Sequence, residues 1–186
     1  MAGLLSERTR AEIRAAMARY PASRSAAVAA LRAAQEQLGW LPAEAVAEVA
    51  AEMDLDPNAL HQLVTFYDMF YDRPRGSYVL GVCNNLSCYL NGSDQLLAYL
   101  QEKLGIAPGE TTEDGLFTLR TVECLAACGN APAMMVNEEY YERLTREDVD
   151  RLLEKLRREG RGDAGDPQPG SRNPGAAAQD PEGGRQ

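Results

Sequence analysis

Four cysteines fall in two close pairs, Cys83/Cys88 and Cys124/Cys128, and each pair follows a stretch that reads as a β-strand. The first strand is Ser77–Cys83 (SYVLGVC) and the second Leu116–Glu123, both rich in β-branched and aromatic or other large apolar residues. Thirty-five residues separate Cys88 from Cys124. If the two strands are neighbours, the loops leaving their C-terminal ends converge on one edge of a sheet and four thiols meet there. That requirement limits the folds open to the chain more than any other feature.

The rest of the chain is organised around a change of hydrophobic period at Gly76. Before it, Ile13 and Met17, then Val28, Leu31, Gln35 and Leu38, recur at helical spacing. Pro21, Gly39–Pro42 and Asp56-Pro57 punctuate the run into about four short helices. Pro42 and Pro57 suit first helical positions, where no N–H is needed, and Asp56 is placed to cap the donors that follow.

After the first strand, residues 92–104 form a helix ended by Gly105. Asp114-Gly115 turns into the second strand. Met134–Val136 and Tyr140–Tyr141 pair about Asn137-Glu138, and Thr145 with Asp148 opens a last helix running to Glu159. The order, written β-α-β-β-α, predicts a mixed α/β (α+β) chain. It divides into an N-terminal helical bundle at 1–75, a four-stranded sheet with flanking helices at 76–159, and a tail at 160–186. Seven Gly and four Pro, with no large apolar residue, predict that the tail is disordered.

Composition excludes several functions. Nineteen basic against 28 acidic residues leave a net charge of −9, so no nucleic-acid partner is expected. No apolar run suits a secretory signal or a spanning helix, which predicts a chain in a reducing compartment without direct membrane insertion. There four cysteines are expected as thiolates rather than disulfides.

Four thiolates suit tetrahedral zinc or an iron–sulfur cluster. The single histidine, His61, lies in the helical region, away from both pairs. C-x3-C fits a zinc knuckle, whereas the wider C-x4-C suits ligands spread over two irons. Two ferric ions, two sulfides and four thiolates carry negative charge that grows on reduction, so backbone N–H groups should face the sulfurs. Gly81, Gly129 and Asn130 are candidates for close backbone approach, and Leu125-Ala126-Ala127 for a small, apolar cover. A dithiol oxidoreductase on a thioredoxin-like fold needs C-x-x-C at a helix N-terminus, and neither pair has that spacing.

GVCNNLSC (81–88), GSDQLLAYL (92–100), LGIAPGETTEDGLFTL (104–119), VECLAACGNAPAMMVNEEYY (122–141) and the LT-x-E-D-V-D stretch at 144–150 carry a resemblance. From about residue 10 to 158 the chain resembles the thioredoxin-like [2Fe–2S] subunits of NADH:quinone oxidoreductase, respiratory complex I, in the 24-kDa-type family. The resemblance implies that Cys83, Cys88, Cys124 and Cys128 ligate one [2Fe–2S] cluster. It implies a flavoprotein partner that binds FMN and NADH and exchanges single electrons with the cluster, together with other peripheral-arm subunits. It further implies a cytoplasmic location, peripheral to the inner face of the cell membrane.

This chain has no Gly-rich dinucleotide fingerprint of its own. Near relatives of the module serve NAD-linked hydrogenases and formate dehydrogenases, and a stand-alone thioredoxin-like ferredoxin is a further alternative. Ala126 stands where the family often has Gly. Phe66, Tyr67, Phe70 and Tyr71 are expected to pack the helical part against the sheet or to anchor the partner. Ala131-Pro132 precedes a strand at a place where such folds often carry a cis proline.

Overall fold

The computed structural model describes residues 3–162. Four helices form the first unit: α1 (Glu7–Met17), α2 (Ala27–Leu38), α3 (Ala43–Met53) and α4 (Pro57–Phe66), with a 3-10 turn at Ser23–Ala26. Their starts and stops follow the local chemistry. Ser6 accepts the N–H of Thr9 ahead of α1, and Asp56 accepts that of Asn58 ahead of Pro57 in α4. Pro42 corrects the expectation for it, since it is the N-cap of α3 with extended backbone (φ −61°, ψ 155°) and not its first helical residue. Ile13, Leu31, Val49, Met53 and Leu60, each at most 1% exposed, centre the core of this unit.

The second unit runs β1 (Tyr78–Cys83), α5 (Leu86–Leu90), α6 (Ser93–Leu104), β2 (Phe117–Val122), β3 (Met134–Val136), β4 (Glu139–Tyr141) and α7 (Arg146–Gly162). It holds one helix more than the β-α-β-β-α shorthand and the fourth strand that the shorthand left out, because a five-residue helix between Cys83 and Gly92 is too short to show a period. The sheet order is β2-β1-β3-β4, with β1 and β2 parallel and the other neighbours antiparallel. Leu80 and Val82, Leu119, and Met134 and Val136 bury one sheet face against Leu96 and Leu100 of α6 and Val149, Leu152, Leu153 and Leu156 of α7. This is the expected thioredoxin-like layering, with α6 and α7 on that face.

Two predicted helix ends hold. Gly105 closes α6 in the left-handed region (φ 69°), and Thr145 and Asp148 exchange side-chain and backbone hydrogen bonds at the start of α7. The end of α7 moves. It runs on through Gly162, past the predicted stop at Glu159, because Gly160 lets its last turns lie against the residue that leads into β2. A Cβ at Gly160 would come within 2.5 Å of the Leu116 side chain. The tail predicted to be disordered lies, from residue 163 on, outside the described residues.

Among the described residues, the cores of the two units share no buried residue. Polar contacts join them. Arg120 of β2 donates to the carbonyl of Asp68 (3.0 Å) and to its carboxylate (3.3 Å), and its guanidinium and that of Arg75 lie over the Tyr71 ring. Arg32 of α2 pairs with Glu138 in the β3–β4 turn at 2.8 Å. The aromatic cluster is correspondingly divided, with Phe70 buried and Phe66 77% exposed.

Candidate metal centre

Parallel pairing of β1 with β2, with Cys83 opposite Val122, brings the ends of both cysteine-bearing segments to one edge of the sheet. Cys83 closes β1, its N–H held by the Ala133 carbonyl at 3.1 Å, and Cys88 sits inside α5, which Asn85 caps. Both are buried. They pack with Leu125 and Ala133 into a small apolar cluster of their own. Cys124 and Cys128 lie on the following loop and are exposed. The edge is therefore dry on one side and open on the other.

The backbone faces the sulfurs. Burial pushes the Cys83 thiol up, but the N–H groups of Asn85 and Leu125 and the neighbouring Cys88 thiol outweigh it and bring its pKa below the ordinary 9.0. For Cys88 burial prevails. Its pKa is raised, against the N–H of Ala133 and with the added repulsion of Cys83 and Cys128. Cys83, Cys88 and Cys128 are thus close enough to feel one another. Cys124 accepts the Ala126 N–H at 3.3 Å. Among the described residues, no three His, Cys, Asp or Glu side chains are gathered as a single metal ion would hold them. Sulfur-only donors with backbone N–H groups beside Cys83, Cys88 and Cys124 form a donor set of the kind an iron–sulfur cluster takes.

Of the residues expected to cover the site, Leu125 turns inward (8% exposed) whereas Ala126 is exposed. Gly81 is in a tight place, since a Cβ there would meet the Val122 side chain at 3.2 Å. Gly129, beside Cys128, has open space around it. Asn130 does something the sequence did not show. Its amide donates to Glu142 (2.7 Å), its side-chain oxygen accepts from Arg143 (2.7 Å), and its carbonyl takes the Arg143 N–H (2.8 Å). It ties the second cysteine loop to the connection between β4 and α7. The Ala131-Pro132 bond is cis. His61 is exposed on α4.

The fold is thioredoxin-like, with four free thiols placed beyond the C-terminal ends of β1 and β2. The family profile of thioredoxin-like [2Fe–2S] ferredoxins matches residues 13–157. The E 2 subunit of NADH-quinone oxidoreductase from Rhizobium meliloti is 47% identical over 148 residues, which is 80% of this chain and 88% of that protein. NADH-quinone oxidoreductase subunit 2 of Thermus thermophilus is 42% identical, covering 75% of this chain and 79% of its own. The chain belongs to the thioredoxin-like [2Fe–2S] ferredoxin family, together with these oxidoreductase subunits.

A solved NAD+-reducing [NiFe]-hydrogenase, in its air-oxidised state, superposes on 69% of this chain with a TM-score of 0.61 and 26% identity. The present chain spans only 23% of that hydrogenase chain. Among the described residues no helix is long and apolar enough to cross a membrane.

Proposed function

We propose that this chain is the electron-transferring subunit of an NADH:quinone oxidoreductase and that Cys83, Cys88, Cys124 and Cys128 hold its one [2Fe–2S] cluster. The observation that carries the reading is the meeting of two cysteine segments, with inward N–H donors, at one edge of the sheet. Relatives at 34–47% identity named as NADH-quinone oxidoreductase subunits support the assembly.

When bound, the cluster supplies a site that takes and gives single electrons. What the chain itself does is hold and tune. The N–H groups of Asn85, Leu125, Ala133 and Ala126 offset negative charge on sulfur. Leu125 and Ala133 keep water from the buried pair, and the exposed pair gives the partner an approach. FMN and NADH belong to a neighbouring flavoprotein, and the chain works in the cytoplasm at the membrane face of the assembled complex. The same module in an NAD-linked hydrogenase is the second reading, favoured by the hydrogenase superposition.

The anaerobically purified chain is expected to be brown, with about two iron and two labile sulfide per chain. Replacing any one of the four cysteines by Ala should remove the cluster or destabilise it severely, as read by iron content and by the electron paramagnetic resonance of the reduced form. Stoichiometric zinc in a colourless sample, or a wild-type spectrum in Cys83→Ala and Cys88→Ala, would overturn the assignment. Co-purification with a flavoprotein and quinone-reducing subunits, against hydrogenase subunits, decides between the two assemblies.

A further inference from the structure

Ser87 precedes Cys88 on α5. A serine inside a helix ordinarily turns its hydroxyl to a carbonyl of the preceding turn or to water. Here it reaches out of the helix and donates to the carbonyl of Cys128, 2.9 Å away and 41 positions along the chain. Its own carbonyl is engaged by Asn91, which donates both its N–H (3.2 Å) and its side-chain amide (2.7 Å). The backbone of Ser87 is thereby fixed and its hydroxyl bridges two segments.

What it bridges matters. Leu125 and Ala133 direct their N–H groups from the second segment to Cys83 and Cys88, the buried pair. Cys128 is exposed, on a loop with only a short 3-10 turn (Cys128–Asn130) for regular structure. The Ser87 hydroxyl ties the backbone of this exposed cysteine to the helix that carries a buried one.

We propose that Ser87 is a positioning residue of the centre, holding Cys128 against Cys88 and so governing how firmly the exposed side retains iron and how far water enters. The proposal rests on the four cysteines being the ligands. Ser87→Ala removes the donor and leaves every thiol in place, while Ser87→Thr restores a hydroxyl at the same carbon.

The test compares full-length wild type, S87A and S87T, purified together under anaerobic conditions. Iron release to a chelator, the reduced-state paramagnetic resonance spectrum and the reduction midpoint are read for each, with circular dichroism to monitor the fold. S87A is expected to keep its fold and its initial iron, yet to release iron roughly fivefold faster, the factor one ordinary hydrogen bond represents. Its spectrum should broaden and its midpoint rise, because water at the exposed sulfurs favours the more negative, reduced state. S87T should restore all three.

An S87A chain matching wild type in release, spectrum and midpoint would overturn the proposal. So would loss of helical signal in S87A, or S87T failing as S87A does, either of which would assign the residue to the fold instead. A wild-type chain without iron would overturn the ligand assignment and this proposal with it, and would show before any variant is compared.

Discussion

Ala126 holds a backbone angle (φ 57°) that a Cβ makes unfavourable, in the turn between Cys124 and Cys128. Its N–H reaches the Cys124 thiol from that conformation. In the left-handed region an L-residue costs about 1–2 kcal/mol that glycine does not incur, less the extra freedom glycine has in the unfolded chain. Ala126→Gly is therefore expected to raise stability by about 0.5–1 kcal/mol, seen as a higher urea midpoint with unchanged slope. A lower midpoint would show that the turn is unstrained. The motif is legible in the sequence, and the only sign of the positive φ at its first alanine is that Ala126 stands where the family often has Gly.

At the scale of elements, α1 is fastened to α3 by charge. Glu48 accepts the N–H groups of Leu4 (2.6 Å) and Leu5 (3.1 Å) and pairs with Arg10 at 2.7 Å, while Glu52 pairs with Arg14 (2.6 Å) and Arg10 (3.2 Å). The Leu4 N–H first, then that of Leu5 and the Arg10 charge, hold the Glu48 carboxyl below 4.5 against its partial burial. The hydrogen bond from Arg14 does the same for Glu52. A lowered carboxylate pKa stabilises the folded state fully above the unfolded value and less as pH falls through the folded one. The helical unit should thus keep its stability down to about pH 4.5 and lose it progressively below. In Glu48→Gln, thermal unfolding should show a shallower dependence in that acid range, and an identical slope would contradict the pairing.

Most ends set by neighbours in sequence are read correctly from sequence, as with Asp56-Pro57 opening α4, Gly105 closing α6 and Thr145 with Asp148 opening α7, although Pro42 falls one place outside α3. Those set by distant partners are not. The helix Leu86–Leu90 is too short for a period, the last turns of α7 depend on Leu116, and the reach of Ser87 to Cys128 spans 41 positions. The convergence of the cysteines could be read only on condition that the two strands are neighbours, and the parallel pairing of β1 with β2 meets that condition.

Among the described residues, the core of the helical unit and the core between the sheet, α6 and α7 share no buried residue, and polar contacts at Arg120, Asp68, Tyr71, Arg32 and Glu138 join the two units. We propose that the boundary lies at residues 75/76 and that the two units unfold separately. Exposed ion pairs contribute little, about 0–1 kcal/mol each, so they cannot couple the two cores strongly. Calorimetry should resolve two transitions. A single transition with equal calorimetric and van't Hoff enthalpies would show one cooperative body.

The parallel pairing of β1 with β2 also sets a timetable. Two strands lying side by side in the same direction cannot be joined by a tight turn, so everything from Asn84 to Leu116 has to cross over before their ends align. Neighbours along the chain cannot bring the two cysteine pairs together; only the finished crossover does. A zinc finger gathers its ligands locally and can fold around its ion. Here the thiols of the two segments come to one edge of the sheet only through a pairing between strands far apart in the chain.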